Sequence, residues 1–304
     1  MGIVASSRIA LLFDFSHSRQ AVLSVAQPGL GALLAQGGFP SPRIIGLGLV
    51  ASAAGMLCVY ASNDLLDLGV DREAVRSPIS PKVADGYDID VVAVRHPVAL
   101  GVLSTPLAIA WVVGLGLVAL GFAFWIRPGC AVIFAGCVCL EAVYCALKRR
   151  TWLKTIPAGA MVGLGALAGW YAVRDFDLYA LAFFFLLTFW EIFGRNLTND
   201  LADMSHDVPL GIKTLATTHG PVWSARASLG GTTAILLVAA LQQASLVLRL
   251  LLVAAAAWSM TLPALDLVRS PREGTAQRMF NRASLFPPIA FALAAIFFGV
   301  QAAV

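Results

Sequence analysis

Residues 63–71 read NDLLDLGVD and residues 199–207 read NDLADMSHD. Both are N-D-x-x-D-x-x-x-D, so one acidic phrase occurs twice, each time closing a long apolar stretch. Carboxylates in such a place are costly and are functional by default. On a helix, positions i, i+4, i+7 and i+8 share a face. That periodicity predicts one ligand stripe from Asn63 or Asp64, Asp67 and Asp71, and a second from Asn199 or Asp200, Asp203 and Asp207. Such carboxylate clusters suit Mg²⁺, which takes one or two of them plus the oxygens of a substrate phosphate. The same ion offsets the charge that a departing diphosphate develops. Arg72, Arg76, Lys148 and Lys213 are the nearby cations that would grip phosphate oxygens. The competing reading is a pair of solvated helix ends; the identical spacing at equivalent membrane depth argues against it.

The elements that must hold these residues are membrane helices. The 304-residue chain is 59% hydrophobic and only 12% charged, with a mean hydropathy of +0.82. A soluble domain is nearer half apolar and a quarter charged. No alternating ten-residue pattern supports a barrel, so the fold class is all-α and polytopic. The net charge of +4 is small and suggests no nucleic-acid partner. Residues 1–20 carry Asp14, His17 and Arg19 and no small-residue cleavage pattern, so no cleavable signal peptide is expected. A span takes about 20 apolar residues. Nine stretches qualify: 20–38, 43–63, 98–122, 128–147, 155–173, 178–198, 222–244, 246–267 and 283–303. The first is the weakest, interrupted by Gln27-Pro28, and residues 1–16 suit a short interfacial helix.

Nine spans divide the 21 Lys and Arg residues unevenly, with only Arg43, Arg127, Arg174 and Arg249 on one side. By the positive-inside rule the other side, with the N-terminus, is cytoplasmic. Both acidic phrases then lie at the cytoplasmic ends of spans two and six, followed by polar loops at 72–96 and 208–220. The whole chain, 1–304, is expected to form one domain around a central cavity, and the recurring phrase suggests a pseudo-repeat of 20–150 and 155–304.

The motifs resemble those of the UbiA superfamily of intramembrane prenyltransferases, including its 4-hydroxybenzoate polyprenyltransferase-like members. The first phrase, with its Arg- and Pro-containing sequel, is similar to the first family motif. Asp203-x-x-x-Asp207 followed by Gly211-Ile212-Lys213-Thr214 is similar to the second, and Tyr144-x-x-x-Lys148 to a third. The resemblance runs over about 18–300. It implies one Mg²⁺ on Asp64, Asp67 and Asp71 with help from Asn63, and another on Asp203 and Asp207 with Asp200 nearby. It further implies that Arg72, Arg76, Lys148 and Lys213 bind diphosphate and that Tyr144 orients it. An allylic cation would then form and be captured by an acceptor, usually an aromatic ring carbon. The sequence departs from the family after the first phrase, where Arg76-Ser-Pro78-Ile-Ser80-Pro81 and a later Gly86 replace a compact N-R-P-x-x-S-G.

Other residues carry two readings each. Glu141 is either a general base or a helix–helix hydrogen-bond partner. Glu191 and Arg195 are spaced to pair, either contacting an acceptor or orienting Asn196 and Asn199. Trp170, Tyr171, Phe183, Phe184, Phe185, Phe189, Trp190 and Phe193 are suited to a carbocation chamber or to packing. His206 is off the aspartate stripe and is expected to be solvated. Arg278, Asn281 and Arg282 read as interfacial anchors. Cys58, Cys130, Cys137, Cys139 and Cys145 read as packing thiols. The expected activity is Mg²⁺-dependent prenyl transfer from an isoprenyl diphosphate to an aromatic or lipidic acceptor in the membrane. Alternatives are a cyclase on the same scaffold and, less well supported by acids clustered at one surface, a cation transporter.

Overall fold

The computed structural model describes residues 7–76, 89 and 92–303. Pro78, Ser80, Pro81, Lys82 and Gly86, which belong to the loop after the first phrase, lie outside them. The regular structure among the described residues is helical: α1 (Arg8–Phe15), α2 (Ser18–Ser24), α3 (Ala26–Gln36), α4 (Pro42–Leu66), α5 (Leu68–Arg76), α6 (Thr105–Ile126), α7 (Pro128–Leu147) and α8 (Thr155–Tyr171). They continue with α9 (Leu178–Ala202), α10 (Met204–Asp207), α11 (Leu215–His219), α12 (Pro221–Ala240), α13 (Leu246–Arg269), α14 (Glu273–Ala283) and α15 (Phe286–Ala303).

Among the described residues seven helical stretches are long and apolar enough to cross a membrane: α4, α6, α7, α9, α12, α13 and the run Glu273–Ala303. The fifth expected span is the 17-residue α8. The first, expected at 20–38, is divided into α2 and α3. The third begins at Thr105 and not at 98, because residues 93–103 form bends and turns. Prolines at the first turns of α4, α6, α7 and α12 set those starts, where a missing N–H costs nothing.

The outward faces are apolar. Leu117, Phe124, Trp125 and Val132 are each at least 60% exposed, as a lipid-facing surface requires and water would not tolerate. The core lies where α3, α8, α9, α12, α13 and α15 meet, around Leu30, Leu34, Trp170, Phe183, Leu186 and Trp190. Helix α8 reaches its neighbours through glycines. A Cβ on Gly169 would lie 1.9 Å from the Pro28 carbonyl oxygen, and one on Gly163 would lie 2.2 Å from the Thr188 hydroxyl. Small residues thus bring these backbones together, as is usual between membrane helices. Cys130 and Cys137 donate to the carbonyls of Ala168 and Met161 and tie α7 to α8.

Candidate active site

The two acidic phrases share one local shape. Helix α4 ends at Leu66, Asp67 takes φ −90°, ψ 5°, and α5 starts at Leu68. Helix α9 ends at Ala202, Asp203 takes φ −101°, ψ 8°, and α10 starts at Met204. The hydrogen bonds match as well. Asp67 N–H donates to Asn63 O at 2.9 Å and Asp71 N–H to Asp67 O at 3.0 Å; Asp203 to Asn199 and Asp207 to Asp203 are both 2.9 Å. These breaks correct the expectation of one continuous stripe: the helix turns at the second acid of each phrase.

In the first phrase the carboxylates face two ways. Asp67 Oδ2 accepts from Lys148 Nζ at 2.5 Å. Asp64 and Asp71 face His96, whose Nδ1 is 3.1 Å from Asp71 Oδ2 and 3.8 Å from Asp64 Oδ2, while His17 Nε2 is 3.5 Å from Asp64 Oδ1. Among the described residues Asp64, Asp71 and His96 are the group whose ligand atoms converge, all within 4.8 Å of one another. Burial works against a charged His96, but the Asp64 and Asp71 carboxylates override it and hold its pKa up at about 9.

In the second phrase Asp200 accepts from Lys154 Nζ at 2.7 Å. Burial, reinforced by the charges of Asp200 and Asp203, pushes Asp207 up to about 7, against the pull of Lys154 and Lys148. Lys148 is thus within electrostatic reach of Asp67 and of Asp207. Burial opposes its charge, yet Tyr144 and Asp67 keep it protonated. Arg72, Arg76 and Lys213 are exposed, with no side-chain hydrogen bond or ion pair among the described residues. The backbone N–H of Lys213 does donate to Lys148 O at 2.9 Å, so the second loop is tied to the end of α7. Glu73 pairs with Arg149 at the surface.

A cavity of about 490 Å³ opens beneath these acids. Asn63 and Asn199, the first residues of the two phrases, line it, as do Glu141, Tyr144, Glu191, Arg195 and Asn196. Every residue expected around the acceptor is therefore gathered in one space. Asn63 Nδ2 donates to Glu141 Oε1 at 2.6 Å, a bond between α4 and α7. Arg195 pairs with Glu191 at 3.1 Å, donates to Gln20 at 3.4 Å and lies 5.3 Å from the ring centroids of Trp190 and Phe280. The stretch Trp190–Asn196 is a π-helical turn within α9, a local widening that often marks functional sites. Of the two readings of Trp170, Phe183 and Trp190, packing holds: they are buried in the core, and Tyr60, Phe134, Tyr144 and Phe280 face the cavity. Of the expected anchors, Asn281 accepts from the backbone N–H of Ile89 at 3.0 Å and Arg282 stacks 4.1 Å over Trp258.

Sequence reasoning missed His17, His96 and Lys154. All three lie far along the chain from the carboxylates they meet, and no spacing rule joins them. Lys154 is 1% exposed, with its Nζ 5.1 Å from the Tyr144 ring centroid.

The fold is similar to solved structures. A UbiA homolog from Aeropyrum pernix K1 superposes with a TM-score of 0.72 at 18% identity, covering 91% of this chain and 97% of that chain. A digeranylgeranylglyceryl phosphate synthase superposes at 0.68 with 14% identity, covering 96% and 98%. A UbiA homolog from Archaeoglobus fulgidus, bound to GPP and Mg²⁺, superposes at 0.60 with 17% identity, covering 95% and 100%. Among curated protein sequences there is no significant match. The model of the UbiA prenyltransferase family matches residues 24–286. Motifs, fold and family model agree, and the chain belongs to the UbiA prenyltransferase family.

Proposed function

We propose that the protein transfers a prenyl group from an isoprenyl diphosphate to an aromatic or lipidic acceptor inside the membrane, using Mg²⁺ near the cytoplasmic face. The observation that carries this reading is the position of Asn63 and Asn199. Each opens an acidic phrase and each lines the apolar cavity, so a diphosphate held by the carboxylates directs its prenyl chain into that space. The Archaeoglobus fulgidus homolog bound to GPP and Mg²⁺ supports the same pairing of substrate and ion.

The donor set fits a divalent cation. Asp64 Oδ2 and Asp200 Oδ2 are buried oxygens without a hydrogen-bond partner, an arrangement that is expensive unless a cation completes it. Asp64 and Asp71 would hold one ion, and Asp200, Asp203 and Asp207 a second, with Asp67 shared between metal and Lys148. An ion bound there would neutralise the charge that the leaving diphosphate develops. Lys148 and Lys154 donate to the phosphate oxygens, with the exposed Arg72 and Arg76 of α5 and Lys213 of the second loop beside them. Tyr144, between the two lysines, orients the diphosphate. The cavity wall excludes water from the allylic cation, and Tyr60, Phe134, Tyr144 and Phe280 offer it ring faces. Arg195, held by Glu191, reads the polar group of the acceptor. Glu141 takes the proton released when the new bond forms.

Incubating purified protein with Mg²⁺, several prenyl diphosphates and a membrane lipid extract tests the proposal by product mass. An acceptor heavier by a prenyl unit is expected. A cyclic hydrocarbon with no acceptor attached would indicate cyclisation, and no loss of diphosphate would overturn the reading.

A further inference from the structure

Among the described residues only two non-glycine residues have positive φ, His17 at 44° and His96 at 54°. Such conformations are costly and persist where the surroundings fix them, often at functional sites. Both histidines point at the same carboxylate, Asp64, from opposite oxygens. His96 also reaches Asp71. Asp64 and Asp71 are each 6% exposed. His96 Nδ1 and Asp64 Oδ2 are buried atoms that make no hydrogen bond, although they lie 3.8 Å apart. The contact is close without being a directed N–H···O bond.

That geometry suits a shared ion. Neighbouring ligand atoms of an octahedral ion with bonds of about 2.1 Å lie about 3.0 Å apart. The separation of His96 Nδ1 from Asp71 Oδ2 is 3.1 Å. Mg²⁺ prefers oxygen donors, whereas an imidazole nitrogen raises affinity for first-row transition ions. A histidine whose ring is aimed by its backbone and faced by two buried carboxylates therefore alters which ion the site prefers.

We propose that His96 Nδ1 is a direct ligand of the divalent cation held by Asp64 and Asp71, that His17 orients Asp64 from its other oxygen, and that this site consequently binds Mn²⁺ more tightly than Mg²⁺. The ion displaces the proton that His96 otherwise carries between the two carboxylates, and that proton leaves to solvent as the nitrogen lone pair is given to the metal. The inference rests on the metal-site reading above and adds a nitrogen ligand to it. His17 acts through Asp64 and is a positioning residue.

The test is pulsed electron paramagnetic resonance of the full-length protein loaded with Mn²⁺, without substrate. Echo modulation from a directly bound ¹⁴N is expected in the wild type. It disappears in His96→Gln and persists in His17→Gln. Mn²⁺ affinity falls about tenfold or more in His96→Gln, the scale at which even outer-shell partners act, and the preference over Mg²⁺ narrows. Asp64→Asn, which removes a carboxylate ligand, separates the two levels of the argument. Mn²⁺ binding that depends on Asp64 but shows no ¹⁴N modulation and no dependence on His96 overturns this inference and leaves the metal site standing. No Mn²⁺ binding by the wild type overturns both. The wild-type spectrum carries the decision without relying on the folding of any variant.

Discussion

Lys154→Met removes the only cation that hydrogen-bonds Asp200 among the described residues. Lys154 is 1% exposed and Asp200 6% exposed, and their contact is 2.7 Å. The other Asp200 oxygen already lacks a hydrogen-bond partner. Methionine is unbranched, one atom shorter and fills most of the same space, so the change is chiefly the loss of charge. Breaking a buried pair by removing one partner costs ~3–5 kcal/mol, because an uncompensated charge stays buried, whereas replacing both partners with apolar groups is often neutral. At roughly 2–4 °C per kcal/mol for domains of 150–250 residues, the unfolding midpoint falls by on the order of 10 °C. Thermal unfolding of the detergent-solubilised protein reads this directly. The double variant Lys154→Met/Asp200→Leu recovers most of the loss in stability while remaining inactive. An unchanged midpoint in the single variant, or a double variant no more stable than the single, would show that Lys154 does not compensate Asp200.

Gly169→Ala places a methyl group 1.9 Å from the Pro28 carbonyl oxygen. Because backbone cannot step aside cheaply, it destabilises toward the upper end of the ~1–3 kcal/mol of overpacking, while Gly38→Ala, with open space around it, leaves the unfolding midpoint level. Arg149→Ala removes an exposed pair with Glu73 and leaves stability unchanged in the same assay, since surface ion pairs are worth little. Glu141→Gln keeps an acceptor for Asn63 but loses the base. Prenyl transfer is expected to fall about 10²–10⁴-fold in kcat with KM for the prenyl diphosphate preserved, and steady-state kinetics would show a purely structural Glu141 as an unchanged kcat.

Composition and hydropathy made the helical membrane fold legible, because lipid-facing positions such as Leu117 and Val132 must be apolar wherever they fall. The acidic phrases were legible because a charge closing an apolar stretch stands out. Their local shape was not. Nothing in NDLLDLGVD announces that the helix breaks at Asp67 and turns its carboxylate toward Lys148 while Asp64 and Asp71 turn toward His96. Single histidines carry no periodic signal, and His17 and His96 owe their aim to left-handed backbone that only tertiary packing selects. Lys154 looked like one more cytoplasmic cation; its burial against Asp200 depends on how the turn before α8 folds under α9. The π turn at Trp190–Asn196 was equally invisible, although the i,i+4 spacing of Glu191 and Arg195 did announce their pairing.

On the proposed mechanism the two acidic phrases together hold the divalent ions that release diphosphate. The most direct measurement is diphosphate release from a prenyl diphosphate as Mg²⁺ is varied, in wild type, Asp67→Asn and Asp203→Asn. Release should rise with Mg²⁺ in the wild type, vanish on chelation and be lost in each variant. Release that proceeds without Mg²⁺, or that survives both substitutions, would mean that the two phrases do not hold the catalytic ions.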